Sequence, residues 1–343
     1  MLAQWRKYTL QFKTPGGTSR GVLRTKDSYF IRLENGNGSV SYGECGILRG
    51  LSYDDVPGYE SQLHWTCENI HLGLEELYSA NTHYPSIQFG LEQAFDGFSD
   101  RAGNFFPEPQ PINGLIWMGS KEQMAQQMTQ KIQEGFTCIK MKIGAITWSD
   151  ELALLKHLRE QFPADQIEIR VDANGAFTYQ ESLKVLKELA ALQVHSIEQP
   201  MKPEFRAELA TLCQNPPVPI ALDESLIGIV TPEERNELLD QVKPQYIILK
   251  PSFIGGWRGS QDWVDRAEER NIGWWSTSAL ESNVGLAAIA HWTAQQQTTM
   301  PQGLGTGGLY TNNFPSPMTV EKGALQFNPS QDWDLTALEA LFK

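Results

Sequence analysis

The sequence is poor in cysteine: four among 343 residues, at 45, 67, 138 and 213, with no Cys-x-x-Cys pair. Such spacing reads as reduced thiols and predicts a cytoplasmic protein. No apolar run reaches the length of a membrane-spanning helix. The opening "MLAQWRKYTLQFKTP" lacks the apolar core of a secretory signal, so none is expected. No cluster of Lys and Arg is present, and 28 basic against 41 acidic residues leave a net charge of -13. A nucleic-acid partner is therefore not expected, nor is a membrane. The six histidines show no metal-ligand spacing. What remains is an ordinary soluble composition, 41% hydrophobic and 20% charged, in a chain long enough for one large domain and a smaller companion.

The first hundred residues read as α+β. "WRKYTLQFK" and "DSYFIRLEN" alternate as strands do, with the turn-rich "TPGGTSRG" between them, and "NGNGSVSYGECG" is a turn followed by a short strand. From about Tyr53 to Arg101 the pattern is helical. After "FPEPQP" the rhythm changes to eight short apolar runs separated by amphipathic helices: "INGLIW", "CIKMKIG", "IEIRVDAN", "HSIEQP", "VPIALDES", "YIILKPS", "IGWWSTS" and "MPQGLGT". This alternation predicts an α/β fold, a (β/α)8-type barrel in its (β/α)7β form, over 109–310. Residues 1–108 are expected to form an α+β capping domain, joined by the C-terminal segment 311–343.

Chemistry in such a barrel sits at the C-terminal ends of the strands. The second run carries Lys140 and Lys142, the third Asp172 and Asn174, the fourth Glu198, the fifth Asp223 and the sixth Lys250. The steps from 142 to 172, 198, 223 and 250 are 30, 26, 25 and 27 residues, each one strand–helix unit. The charges therefore share one level. Residues i and i+2 share a strand face, so Asp172, Glu198 and Asp223 should converge. Three carboxylates cannot ionise together without a cation. A hard, all-oxygen set suits Mg²⁺. Lys142 and Lys250 should flank a substrate held there. The like charge of Lys140 and partial burial should lower the pKa of Lys142 and make it a base. Lys140 can also pair with a carboxylate of the site. A lysine base opposite carboxylate-bound Mg²⁺ suits removal of a proton α to a carboxylate. Two readings of Asn174 stand: a cap for the next helix, or a side chain supporting the acidic site. Arg170 is expected in a structural ion pair deeper in the barrel. Glu224, facing away from Asp223, is expected to be structural, and His195 is not expected to be a ligand.

Together "KMK", "VDAN", "IEQP", "LDES" and "LKPS" resemble the enolase superfamily, in particular its muconate-lactonising-enzyme subgroup, over essentially the whole chain. The resemblance implies Mg²⁺ on Asp172, Glu198 and Asp223, with Lys142 and Lys250 on opposite faces of a small-molecule carboxylate. "TSALESNVGLAAIAHW" and "QGLGTGGLYTNNFPSP" resemble the dehydrating branch of the subgroup, which serves menaquinone synthesis. Dipeptide epimerases carry an Asp-x-Asp where "GLGTGGL" stands. The implied substrate is a cyclohexadiene carboxylate bearing a hydroxyl and a succinyl group, and the reaction a syn loss of water. The alternatives are racemisation of N-succinyl amino acids or dipeptides on the same site, and a non-catalytic barrel that binds a carboxylate or a partner. Ser278, Ser282, Asn283 and Gly285 are assigned to the succinyl carboxylate, partly through backbone N–H groups. Residues 13–24 are expected to form a mobile lid and 46–55 a second loop over the site.

Overall fold

A computed structural model describes residues 1–18, 21–97 and 108–343. Three antiparallel strands come first: β1 (Leu2–Thr18), β2 (Gly21–Glu34) and β3 (Val40–Cys45), in the order β1-β2-β3. The hairpin runs further into "TPGG" than turn chemistry suggests. A register shift between Gln11 and Gly16 lets the ladder resume with Gly16 opposite Leu23 and Gly17 opposite Val22. The helices α1 (Tyr59–Glu68), α2 (Leu74–Ala80) and α3 (Pro85–Asp96) pack on this sheet. Their core is Tyr29, Ile31, Leu63, Leu77, Ile87 and Leu91.

The short β4 (Gln110–Pro111) precedes seven parallel strands. These are β5 (Gly114–Ile116), β6 (Cys138–Lys142), β7 (Glu168–Asp172), β8 (Ser196–Glu198), β9 (Ile220–Leu222), β10 (Tyr246–Leu249) and β11 (Gly273–Ser276). The helices that follow them begin with α4 (Lys121–Gln133), α5 (Trp148–Gln161), α6 (Tyr179–Ala191), α7 (Arg206–Cys213) and α8 (Pro232–Val242). After β10 come the short α9 (Pro251–Ile254) and then α10 (Gly256–Glu268), and α11 (Asn283–Gln295) follows β11. Reciprocal caps start three of the helices: Ser120 with Gln123, Thr178 with Glu181, and Thr231 with Glu234. "MPQGLGT" is not a full strand. It closes the barrel through two isolated parallel bridges, Ile112 with Gln302 and Thr277 with Gly303. Outward-facing Ile139, Met141, Ile169, Val171 and Ile197 join the helices in the main core, leaving the alternate positions to the barrel interior.

The C-terminal segment does two things. The hairpin β12 (Met318–Glu321) and β13 (Ala324–Phe327) pairs with β4, opposing Ala324 to Pro111. The flanking residues return to the first sheet: Phe314 packs edge-on to Phe30 at 5.4 Å, and Leu338, in the final helix α12 (Thr336–Ala340), joins the same cluster. No described helix is long and apolar enough to cross a membrane.

Candidate active site

The strand ladder determines which side chains meet. Lys142 is in register with Asp172, Asp172 with Glu198, and Glu198 with Ala221, two residues before Asp223. Asp172, Glu198 and Asp223 are all buried, at 1–2% exposure, so their charges must be answered from within the protein. Lys140 Nζ lies 2.6 Å from Glu198 Oε2 and 3.0 Å from Asp172 Oδ2. Lys142 Nζ lies 3.0 Å from Asp172 Oδ2 and donates to Asn174 Oδ1 at 2.8 Å. Lys250 Nζ donates to Asp223 Oδ2 from the other side. Positive and negative groups therefore alternate across the end of the barrel.

The electrostatics follow from this interleaving. Burial pushes the Asp172 carboxyl up, but the Lys140 and Lys142 ammonium groups outweigh it and hold the group well below the usual carboxylate range. Burial, with Asp172 as neighbour, pushes Glu198 well up. Burial works against the charge on Lys140, yet Asp172 and Glu198 raise its pKa. Lys250 is raised in the same way, by Asp223 and Glu224 against burial. Among the described residues no three acidic, His or Cys side chains already stand as a ligand set; Lys140 bridges Asp172 and Glu198, and Lys250 pairs with Asp223. Glu198 Oε1 is buried without a hydrogen-bond partner. One carboxylate oxygen thus remains to be satisfied, in an all-oxygen acidic set of the kind a hard divalent cation takes.

Two backbone features hold this geometry. Asn174 has φ 44° and Gln199 φ 39°, left-handed values rare for residues other than glycine, directly beyond the acidic positions. Asn174 Nδ2 donates to Glu224 Oε1 at 3.0 Å, and its backbone N–H to Asp172 Oδ1 at 3.1 Å. Glu224 thus lines the same cleft, contrary to the alternation argument. The strand ends at Leu222 and the chain turns at Asp223 (φ -120°, ψ -79°), so a period of two no longer applies. Gln199 Oε1 accepts from the backbone N–H groups of Asp223 and Ser225, both at 3.1 Å. This amide ties the Glu198 strand end to the Asp223 strand end. Only the adjacency of Gln199 to Glu198 in "IEQP" signals it in the sequence.

The cleft has a cavity volume of about 630 Å³. Lys140, Lys142, Asp172, Asn174, Glu224 and Lys250 line it on the barrel side. Residues 12–16, at the end of β1, and Leu48 and Leu51 line it from the first domain. Gly16 lies against Trp117, and a Cβ at Gly17 would stand 2.4 Å from the Met118 carbonyl oxygen. Ser278 lines the cleft and shares a hydrogen bond of 2.6 Å with Thr306. Ser282, Asn283 and Gly285 do not line it. Ser282 N–H and Oγ and Gly285 N–H all donate to Glu44 of β3, and Asn283 Nδ2 donates to the Phe314 carbonyl. In place of the expected substrate carboxylate, the first domain supplies its own, Glu44, to the start of α11. Deeper in the barrel Arg170 donates to Glu168 and to the Pro301 carbonyl and stacks 4.2 Å over Trp275, while His195 packs on Tyr246.

Residues 123–330 match the family model described as "Enolase C-terminal domain-like". The chain belongs to this family. Among curated enolase-family relatives, the o-succinylbenzoate synthase of Desulfotalea psychrophila is 42% identical, across 95% of this chain and 98% of the relative. The L-Ala-D/L-Glu epimerase of Bacillus subtilis is 24% identical across 82% and 81%. The crystal structure of MenC from Desulfotalea psychrophila superposes with a TM-score of 0.82 at 40% identity, covering 95% of this chain and 99% of that one. A dipeptide epimerase from Enterococcus faecalis, complexed with Mg and the dipeptide L-Leu-L-Tyr, superposes with a TM-score of 0.83 at 21% identity, over 95% and 96%, a likeness of fold.

Proposed function

We propose that this protein is an o-succinylbenzoate synthase, a lyase of menaquinone synthesis. It removes water from a cyclohexadiene carboxylate that bears a hydroxyl and a succinyl group. The observation that carries this reading is Lys142 and Lys250 bracketing three buried carboxylates, in a chain 42% identical to a synthase of that name across nearly the whole of both.

Asp172, Glu198 and Asp223 would hold Mg²⁺, and the unsatisfied Glu198 Oε1 favours a cation among them. Once bound, the ion would take up charge of the three carboxylates and would act as a Lewis acid toward the substrate carboxylate. Lys142, as the free amine, takes the α-proton, and the electron pair passes into the substrate carboxylate. Lys250 faces this developing charge from the opposite side and stabilises it electrostatically. Lys142 then returns its proton to the departing hydroxyl, water leaves, and the ring becomes aromatic. Lys140, hydrogen-bonded to Glu198, keeps the acidic cluster compact. Gly303, Gly305, Thr306 and Gly308 make the eighth-strand side of the cleft neutral, which suits a substrate without an ammonium group.

The test is direct. Purified protein with Mg²⁺ should convert the cyclohexadiene substrate to an aromatic product, seen by ultraviolet absorbance and mass spectrometry. EDTA should stop the reaction and added Mg²⁺ restore it. Absence of product with any divalent ion would sink the reading. Two lysines on opposite faces also suit racemisation, the activity named for a Thermus thermophilus relative, N-succinylamino acid racemase, 30% identical over 56% of this chain. Deuterium entering an N-succinyl amino acid in D₂O, without dehydration of the diene, would favour that reading. A barrel that only binds would leave the α-hydrogen in place.

A further inference from the structure

Between the first domain and the barrel lies a buried polar cluster that the catalytic chemistry does not use. Lys26, Ser28 and Glu44 come from β2 and β3, and Ser252, Glu281 and Ser282 from the barrel; all are buried, five of them completely. Lys26 Nζ donates to Ser28 Oγ at 3.2 Å, and Ser28 Oγ to Glu44 Oε1 at 2.7 Å. Glu44 in turn takes the α11 donors described above. Glu281 accepts from Ser252 Oγ at 2.5 Å through one oxygen and from the Ala279 backbone N–H at 2.7 Å through the other. The two groups of residues meet at Gly46, where a Cβ would lie 3.2 Å from both Lys26 Nζ and Glu281 Cγ and 3.3 Å from Ser252 Oγ.

The positions of these partners matter. Ser252 is two residues beyond Lys250 in a short helix that starts with Pro251, and the Phe253 N–H bonds back to the Lys250 carbonyl. Ala279 follows Ser278 in the loop that lines the cleft. Glu281 therefore staples the chain carrying Lys250 to the chain carrying Ser278, and each carboxylate oxygen holds one of them. A buried carboxylate needs a counter-charge. Burial raises the pKa of Glu281 above the ordinary carboxylate value, and the Lys26 charge offsets only part of that rise.

We propose that Glu281 is a positioning residue that sets Lys250 against the cleft, with Lys26 of the capping sheet supplying its counter-charge, so that docking of the first domain places a lysine of the second. This rests on the synthase reading only for what Lys250 does, not for where it is held. Glu281→Gln should lower kcat about 100-fold, the scale of a small misplacement of a reacting group, with KM changed less than about threefold. In a Lys250→Ala background the same substitution should cost less than about threefold, because its effect passes through Lys250. Equal losses in both backgrounds would overturn the proposal. Glu281→Gln leaves Lys26 linked through Ser28 to Glu44, so its thermal midpoint should stay near that of the wild type while kcat falls. A lowered midpoint with kcat restored on cooling would show that Glu281 acts only on the fold. The crystal structure of Glu281→Gln decides the point without turnover. Lys250 Nζ should leave Asp223, and an unmoved Lys250 would defeat the proposal even if the wild type dehydrates nothing.

Discussion

At the level of single residues, the two lysines that bracket the acids differ in what their loss should do. Lys142→Ala removes the proposed base and is expected to reduce turnover by about 10²–10⁴-fold, while calorimetry with Mg²⁺ still shows binding. Substantial remaining turnover would end its role as base. Lys250→Ala removes the proposed electrostatic stabilisation and is expected to lower kcat about 10²–10³-fold, the scale seen on losing one oriented donor; a near-normal rate would refute that role. Gln199→Ala strips acceptors from two backbone N–H groups at the Asp223 turn. Each buried donor left unsatisfied costs about 1–3 kcal/mol, so urea unfolding should show a loss of that order. Lys142, Asp172 and Lys250 were legible because charge at the end of an apolar strand is conspicuous. Gln199 was not, because an uncharged amide beside a carboxylate carries no such mark.

Among the elements, β3 and α3 approach closely at two glycines. A Cβ on Gly43 would lie 1.9 Å from the Gly90 carbonyl oxygen, and one on Gly90 2.3 Å from Cys45 Sγ. Gly90→Ala forces that contact apart and should destabilise by about 1–3 kcal/mol, read from the urea midpoint at unchanged slope. Strand and helix periods were readable in the barrel, where each apolar run became a strand except the eighth. "MPQGLGT" makes only bridges, and its glycines serve close approach instead: a Cβ on Gly303 would lie 2.1 Å from Thr277 Oγ1. The glycine and proline of 13–24 signal a turn, yet the described residues 13–18 and 21–24 lie in β1 and β2, while 19–20 fall outside the described residues. The ladder continues there because Gly16 and Gly17 can pair across to β2 and also lie flat on Trp117 and Met118.

For the molecule as a whole, the two domains are also joined by Glu92 of α3, which accepts from the Trp257 and Arg258 backbone N–H groups at the start of α10. Burial pushes its pKa to about 7, against those hydrogen bonds and the charge of Arg258. The folded pKa lies above the ordinary 4.5, so the native state binds the extra proton and stability should fall as pH rises from about 4.5 to about 7. Glu92→Gln should flatten that slope in urea titrations across this range, and an unchanged slope would contradict the assignment. The sequence by itself determined the strand–helix alternation, the level at which the charges stand and the family resemblance, because these depend on local period and on spacing along one chain. Only the tertiary structure decided that Glu44 caps α11, that Glu224 turns into the cleft and that Lys26 and Glu281 come together at Gly46. Those pairings join residues far apart in the chain, and nothing local to either partner encodes the other.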